Sequence, residues 1–189
     1  MSAEAATGMA DERLWLKRAV LVLVAPRRVF ELLRDDSDPV AHSREEAVLA
    51  LVLLSGVASV LGTPTYGRLL EDVTIDGLLV AVIAFVGGGI YGAVAYWGVG
   101  LVVSWVVRAL GGAISYRQAR HVVAFASAPI ALTLVLVWPV RLAIYGEDLF
   151  RKGGSDQGVG NAFFVGLELA AIAWALALLF LGARIVSRR

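Results

Sequence analysis

The side chains with chemistry to offer are few: His42, His121, the serines Ser55, Ser59, Ser104 and Ser127 within apolar runs, and the charged pair Arg141 and Glu168, also within apolar runs. A zinc-protease site needs two histidines one helical turn apart, and neither histidine has such a neighbour. A serine nucleophile needs a base in reach, yet no histidine or lysine stands in another apolar run to activate one. The chain has no cysteine, which removes disulfides, thiolate metal sites and a cysteine nucleophile together. The triplet Gly87 to Gly89 lies inside an apolar run rather than after a strand, so it does not read as a phosphate-cradling loop. We expect no catalytic residue, no metal ligand and no cofactor.

Arg141 and Glu168 carry the remaining chemical interest, because an ionisable group inside a membrane span is a functional candidate by default. Eleven Leu, Ile, Val or Phe residues between Ala162 and Ala183, at roughly −0.3 to −0.6 kcal/mol each, outweigh about 3 kcal/mol for one acid. The helix therefore inserts with Glu168 in it. Two readings stand: a structural ion pair between Arg141 and Glu168, or a proton or cation site on a permeation path.

The elements that hold these residues are apolar and long. From Gly77 to Val107 there are 31 consecutive residues without Asp, Glu, Lys, Arg or His, more than a soluble core helix needs. The chain is 59% hydrophobic, with a mean hydropathy of +0.77, so lipid must cover what one core cannot. The expected fold is an all-α polytopic transmembrane bundle of four spans: Ala47 to Thr63, Gly77 to Val107, Val122 to Tyr145 and Ala162 to Ala183. The second, about 46 Å at 1.5 Å per residue, exceeds a hydrocarbon core of about 30 Å. A break at Gly87 to Gly89 would make five spans. Residues 1–46 read as a cytoplasmic tail, 47–186 as the membrane domain and 187–189 as a basic C-terminus. Four spans place thirteen of the seventeen basic residues on the side of both termini, so the positive-inside rule puts those termini in the cytoplasm of a plasma or inner membrane. The net charge of +1 gives no reason to expect a nucleic-acid partner.

Before the first span, Leu14, Trp15 and the run Ala19 to Ala25 alternate with Arg13, Lys17 and Arg18, a pattern suited to an amphipathic helix lying on anionic headgroups. Pro26 opens a second short helix. With Glu4, Asp11 and Glu12 ahead of it, this segment does not read as a cleaved signal peptide. Ser43 with Glu46 reads as a capping box that starts the first span. Gly153 to Asn161 reads as an external loop. Ala84, Gly88, Gly92, Gly100 and Ser104 recur on a four-residue step interrupted only by Tyr96, giving a groove for close helix approach, and Ala162, Gly166 and Ala170 form a second stripe. Both stripes suit packing within the chain or a homo-oligomer seam. Pro129 and Pro139 each free a carbonyl four residues back, at Phe125 and Val135, so kinks are expected there.

The most specific text is Leu110-Gly111-Gly112-Ala113-Ile114-Ser115-Tyr116-Arg117-Gln118, followed by Val122 to Pro129 with Phe125 and Ser127 inside it. It resembles the hallmark of the Ypt-interacting-protein (Yip) domain family: a Leu-Gly-Gly span end, a Ser-aromatic-x-Gln turn, then a span opening with a small residue, an aromatic and a proline. The resemblance runs from Pro26 to Arg184. Phe125 stands where eukaryotic members often have Tyr, and their acidic Tyr-Gly-Pro segment is absent, so the chain looks more like a bacterial member. Gly111 and Gly112 are expected to end the long helix with a left-handed cap, and Ser127 to repair bonding at the Pro129 kink. Glu45 and Glu46 resemble the paired glutamates of prenyl-type intramembrane proteases in two letters only, since Ala50 stands where that motif has Arg. The small-residue faces, the basic amphipathic segment and the resemblance together point to a non-enzymatic scaffold or trafficking-related membrane protein. Its expected partners are anionic lipids of the cytoplasmic leaflet, another membrane protein or a second copy of itself. The alternative is a small-solute or ion permeation protein using Glu168 and Arg141.

Overall fold

Helices begin where the sequence supplies a cap or a preset backbone, and end where glycine or a chain break in hydrogen bonding allows it. The computed structural model describes residues 14–71, 76–153 and 158–187. Helix α1 covers residues 14–21 among these. Two short helices follow, α2 (Pro26–Leu32) and α3 (Asp38–Ser43), each with proline in its first two positions, where the missing N–H costs no helical bond. Then come α4 (Glu45–Leu61), a 3-10 turn at Tyr66–Glu71, and α5 (Gly77–Ala109). Asp76 caps α5 by accepting the Leu79 N–H at 2.7 Å. The chain finishes with α6 (Tyr116–Ala126), α7 (Ala128–Tyr145), a second 3-10 turn at Gly146–Phe150, and α8 (Gly158–Val186).

Several expectations are corrected. Helix α5 runs unbroken for 33 residues through Gly87, Gly88 and Gly89, which removes the five-span alternative: each glycine keeps its helical hydrogen bonds. Ser43 does not cap the first long helix; it ends α3, donating its hydroxyl to the Val40 carbonyl at 2.9 Å. The expected external loop already turns helical at Gly158, and residues 154–157 of it lie outside those described. At Pro129 the helix does not merely bend. It ends at Ala126 and restarts at Ala128, with Ser127 between, whereas α7 continues through Pro139. Ser127 Oγ donates to the Ala124 carbonyl at 2.8 Å, one residue short of the Phe125 carbonyl that proline was expected to free.

Three stretches are long and apolar enough to cross a membrane: Gly77–Ala109, Tyr116–Phe150 and Val159–Val186. Their outward surfaces are apolar, with Phe85, Ile90, Trp105, Ile144 and Phe180 all more than half exposed, as lipid-facing positions should be. This is a membrane protein with an all-helical described structure.

The chain divides into two compact units. One comprises Met1–Val52, Ala95–Ala128 and Ala175–Arg189; the other, Leu53–Val94 and Pro129–Trp174. The first unit has a core of Val22, Val29, Phe30, Leu33, Val122 and Phe125, all fully buried. Trp15 meets Phe125 at a ring-centroid distance of 5.6 Å. Gly182 leaves room for Phe30 and Val122, since a Cβ there would stand 2.8 Å from each. In the second unit, α4 and α5 touch backbone to backbone: a Cβ on Gly56 would collide with the Gly88 carbonyl and stand 2.9 Å from Gly92 Cα. Close approach of this kind is what small residues permit in a bundle that lipid cannot press together by hydrophobic force.

Candidate functional site

The hairpin between α5 and α6 is built by three local devices. Gly111 takes φ +80°. Its N–H bonds to the Arg108 carbonyl at 3.0 Å, and that of Gly112 to the Val107 carbonyl at 2.9 Å, the two bonds of a Schellman cap. Gly111 alone supplies the left-handed residue; Gly112 is needed for space, because a Cβ there would lie 2.7 Å from Val107 Cγ1. Arg108 then folds back, donating Nε and Nη2 to the Ile114 carbonyl, both at 3.3 Å. Finally Ser115 caps α6 in a complete capping box: its hydroxyl accepts the Gln118 N–H at 3.0 Å, and Gln118 Oε1 accepts the Ser115 N–H at 2.9 Å.

The same side chains have a second set of partners. Ser115 Oγ donates to Asp36 Oδ2 at 2.6 Å. Gln118 Nε2 donates to the carbonyls of Arg34 (2.9 Å) and Leu33 (3.4 Å). Arg117 donates Nε to Asp36 Oδ1 at 2.8 Å, Nη1 to Asp38 Oδ1 at 2.7 Å, and Nη2 to the Asp36 carbonyl. The hairpin is therefore a clamp on residues 33–38, the segment between α2 and α3. Fixing both ends of Gln118 in one geometry makes it a better holder than a surface ion pair, which loses most of its strength to solvent.

Beneath the clamp sits Arg44, with no exposed surface. Its Nη2 lies 3.5 Å from Asp36 Oδ1, and its guanidinium lies 5.6 Å from the centre of the Trp15 ring. Nε and Nη1 have no partner among the described residues. Burial pulls its pKa below the usual arginine value, and Asp36 opposes that shift. Arg18 covers Trp15 at 4.5 Å, and Arg120 covers Tyr116 at 4.8 Å and Tyr96 at 5.2 Å. Tyr116 donates its hydroxyl to the Trp97 carbonyl at 3.0 Å. The basic residues of this region are thus held on aromatic faces and on the carboxylates of Asp36 and Asp38.

In the second unit, Arg141 Nη1 and Glu168 Oε1 lie 2.6 Å apart, with side chains 9% and 20% exposed. Trp138 and Phe164 flank the guanidinium at 4.8 and 5.5 Å. Glu168 lies one turn from buried Phe164 on the same face of α8, so most of the acid is covered by protein. The helix-packing positions separate similarly. Ala84, Gly88, Gly92, Gly100 and Ser104 are all buried on α5; in the first unit a Cβ on Gly100 would stand 2.5 Å from Arg120 Cγ. Ala162, Gly166 and Ala170 are exposed.

A family model described as the Yip1 domain matches residues 20–189. The chain belongs to the Yip1 domain family. No curated protein and no solved structure matches it. Of the residues that carry the resemblance in the sequence, Ser115, Tyr116 and Gln118 all make contacts beyond their own turn, Phe125 packs on Trp15, and Pro129 lies in the first turn of α7. Asp36, which Ser115 and Arg117 hold, Asp38, which Arg117 holds, and Arg44, which pairs with Asp36, do not stand out in the sequence. One signal was available: the Ser-x-x-Gln spacing of 115 to 118 is a capping box, and it marks the start of α6 six residues before the apolar run at Val122. Nothing in the sequence links residue 36 to residue 117.

Proposed function

We propose that this Yip1-domain protein is a four-span, non-enzymatic organiser of a plasma or inner membrane, with both termini in the cytoplasm. It works by holding an N-terminal helical segment against the cytoplasmic leaflet and presenting it to anionic lipid or to a membrane-protein partner. Helix α4, with 17 residues and about 25 Å long at 1.5 Å per residue, serves as the fourth span.

The observation that carries this reading is the clamp of Ser115, Arg117 and Gln118 on residues 33–38. It gives the N-terminal segment a fixed inner face, with Trp15, Ala19, Val22, Val29, Phe30 and Leu33 buried. The outer face that remains carries Leu16, Val20, Leu21, Val24 and Leu32 among the exposed basic residues Lys17, Arg27 and Arg28. Apolar and basic side chains on one exposed face suit the headgroup region.

Deleting this segment would remove core residues, so the test uses its surface. In Lys17→Gln, Arg27→Gln, Arg28→Gln with Val20→Glu and Val24→Glu, the purified protein should remain folded. It should lose the anionic lipid or crosslinked partner that the wild type retains after gentle extraction. Equal retention by wild type and variant would refute the reading.

A further inference from the structure

The second unit contains two adjoining hollows. The larger, of about 580 Å³, is walled mainly by carbon, including Val57, Val80, Phe85, Leu134 and Leu142. The smaller, of about 200 Å³, is the one that carries polar side chains, those of Thr63, Arg141, Arg151, Asn161 and Glu168, set in a wall that is otherwise mostly carbon. Leu61, Trp138, Leu149 and Phe150 form walls of both. Together they fall within the size of small-molecule sites, roughly 300–1,000 Å³.

Charge and hydrogen bonding specify what fits. Glu168 neutralises Arg141. Among the described residues Arg151 pairs with Glu147, 3.6 Å away, and Glu147 lines the apolar hollow rather than the polar one. Among the described residues the polar hollow thus has two cations and one carboxylate in its walls. It is also short of acceptors: Trp138 and Arg141, 7% and 8% exposed, carry Nε1 and Nε without a hydrogen-bond partner among the described residues. A buried donor left unmatched is costly, and an oxygen-rich anion is the complementary group. An anionic head joined to a hydrocarbon tail fits this pair of hollows; an inorganic ion or a hydrocarbon alone fits half of it.

We infer that the second unit binds one phospholipid, with its phosphodiester in the polar hollow beside Arg141 and Arg151 and one acyl chain in the apolar hollow between α4, α5 and α7. This site is separate from the clamp, and it stands whether or not the N-terminal segment engages the leaflet.

The test is competitive lipid retention by native mass spectrometry on the full chain in a phosphate-free detergent. Phosphatidylglycerol and diacylglycerol with identical acyl chains are added in equal amounts. The wild type should hold one phosphatidylglycerol per chain with about tenfold preference, equivalent to ~1.4 kcal/mol. Arg151→Gln, at a side chain half exposed and so dispensable for folding, should bring the two lipids towards equal retention. Ala81→Trp, which fills the apolar hollow, should exclude both. Millimolar inorganic phosphate should not displace the lipid. Equal retention of the two lipids by the wild type would overturn the inference in favour of plain hydrocarbon filling. Displacement by phosphate would reduce it to an anion site, and unchanged lipid binding in Ala81→Trp would place the lipid elsewhere.

Discussion

Asp36 has the most to lose from a single atom change. Its carboxylate is the charge partner of buried Arg44, and it also takes the Ser115 hydroxyl and Arg117 Nε. The Arg117 contribution is screened, because that side chain is 36% exposed. The Arg44 contribution is not, because removing the partner of a buried cation leaves the cation uncompensated. Asp36→Asn keeps the shape and removes the charge, and it should lower stability by about 2–4 kcal/mol in detergent unfolding. Asp38→Asn, at a side chain 91% exposed, should change little. Similar small losses for both would mean that Arg44 is not held by Asp36. The second pair calls for a double-mutant cycle. Arg141→Gln and Glu168→Gln should each destabilise, and the double variant should lose less than their sum by about 1–3 kcal/mol. Strict additivity would show that the contact at 2.6 Å has no energetic content.

At the scale of elements, the close crossing of α4 and α5 depends on which glycine faces inward. A Cβ on Gly88 would collide with Val57 Cα, while one on neighbouring Gly89 would meet only Leu53 Cδ1 at an ordinary 3.5 Å. Gly88→Ala should therefore lower the melting temperature despite the gain in helix propensity. Gly89→Ala should leave it unchanged or raise it, because alanine gains about 1 kcal/mol over glycine in a helix. Equal behaviour of the two would remove the crossing. This stripe was legible in the sequence because a helix face repeats every three to four residues, so spacing alone reports it. The clamp was not legible in the same way. Its two halves lie some eighty positions apart, and only the Schellman glycine and the Ser-x-x-Gln cap have local signatures. The misreading at Ser43 has a related cause: the Ser-x-x-Glu pattern was present, but a preceding helix had already taken the serine as its last residue, and its hydroxyl bonds back to Val40 rather than forward. Gln118→Ala should test the hairpin as an element. It removes one half of the box and both bonds to residues 33 and 34, so the loss should exceed the ~1 kcal/mol of an ordinary cap. A loss of only that size would confine Gln118 to capping α6.

For the whole molecule the open quantity is which side of the membrane each connection occupies, and the sequence provides a clean way to measure it. The chain has no cysteine, so single cysteines can be introduced without a background and labelled with an impermeant thiol reagent in intact cells. Continuity of α5 places residues 63 and 110 on opposite sides if α5 crosses once. The clamp holds residues 33–38 against 115–118, so it requires that α4 cross as well. If it does, His42→Cys and Leu110→Cys share the cytoplasmic side, while Thr63→Cys and Lys152→Cys face out, which is the arrangement that puts thirteen basic residues inside and four outside. If α4 stays on one side, His42→Cys and Thr63→Cys label together, Leu110→Cys labels from the opposite side, and the basic hairpin of Arg108, Arg117 and Arg120 comes to lie outside. The first pattern is expected. Arg68 is one basic residue in the connection after α4, whereas seven precede that helix, so translocating the connection costs little while keeping the tail inside satisfies the rule. Labelling of Leu110→Cys from outside with His42→Cys inside would withdraw the fourth span and the clamp with it, whereas labelling of both from outside would keep four spans but remove the N-terminal segment from the cytoplasmic leaflet.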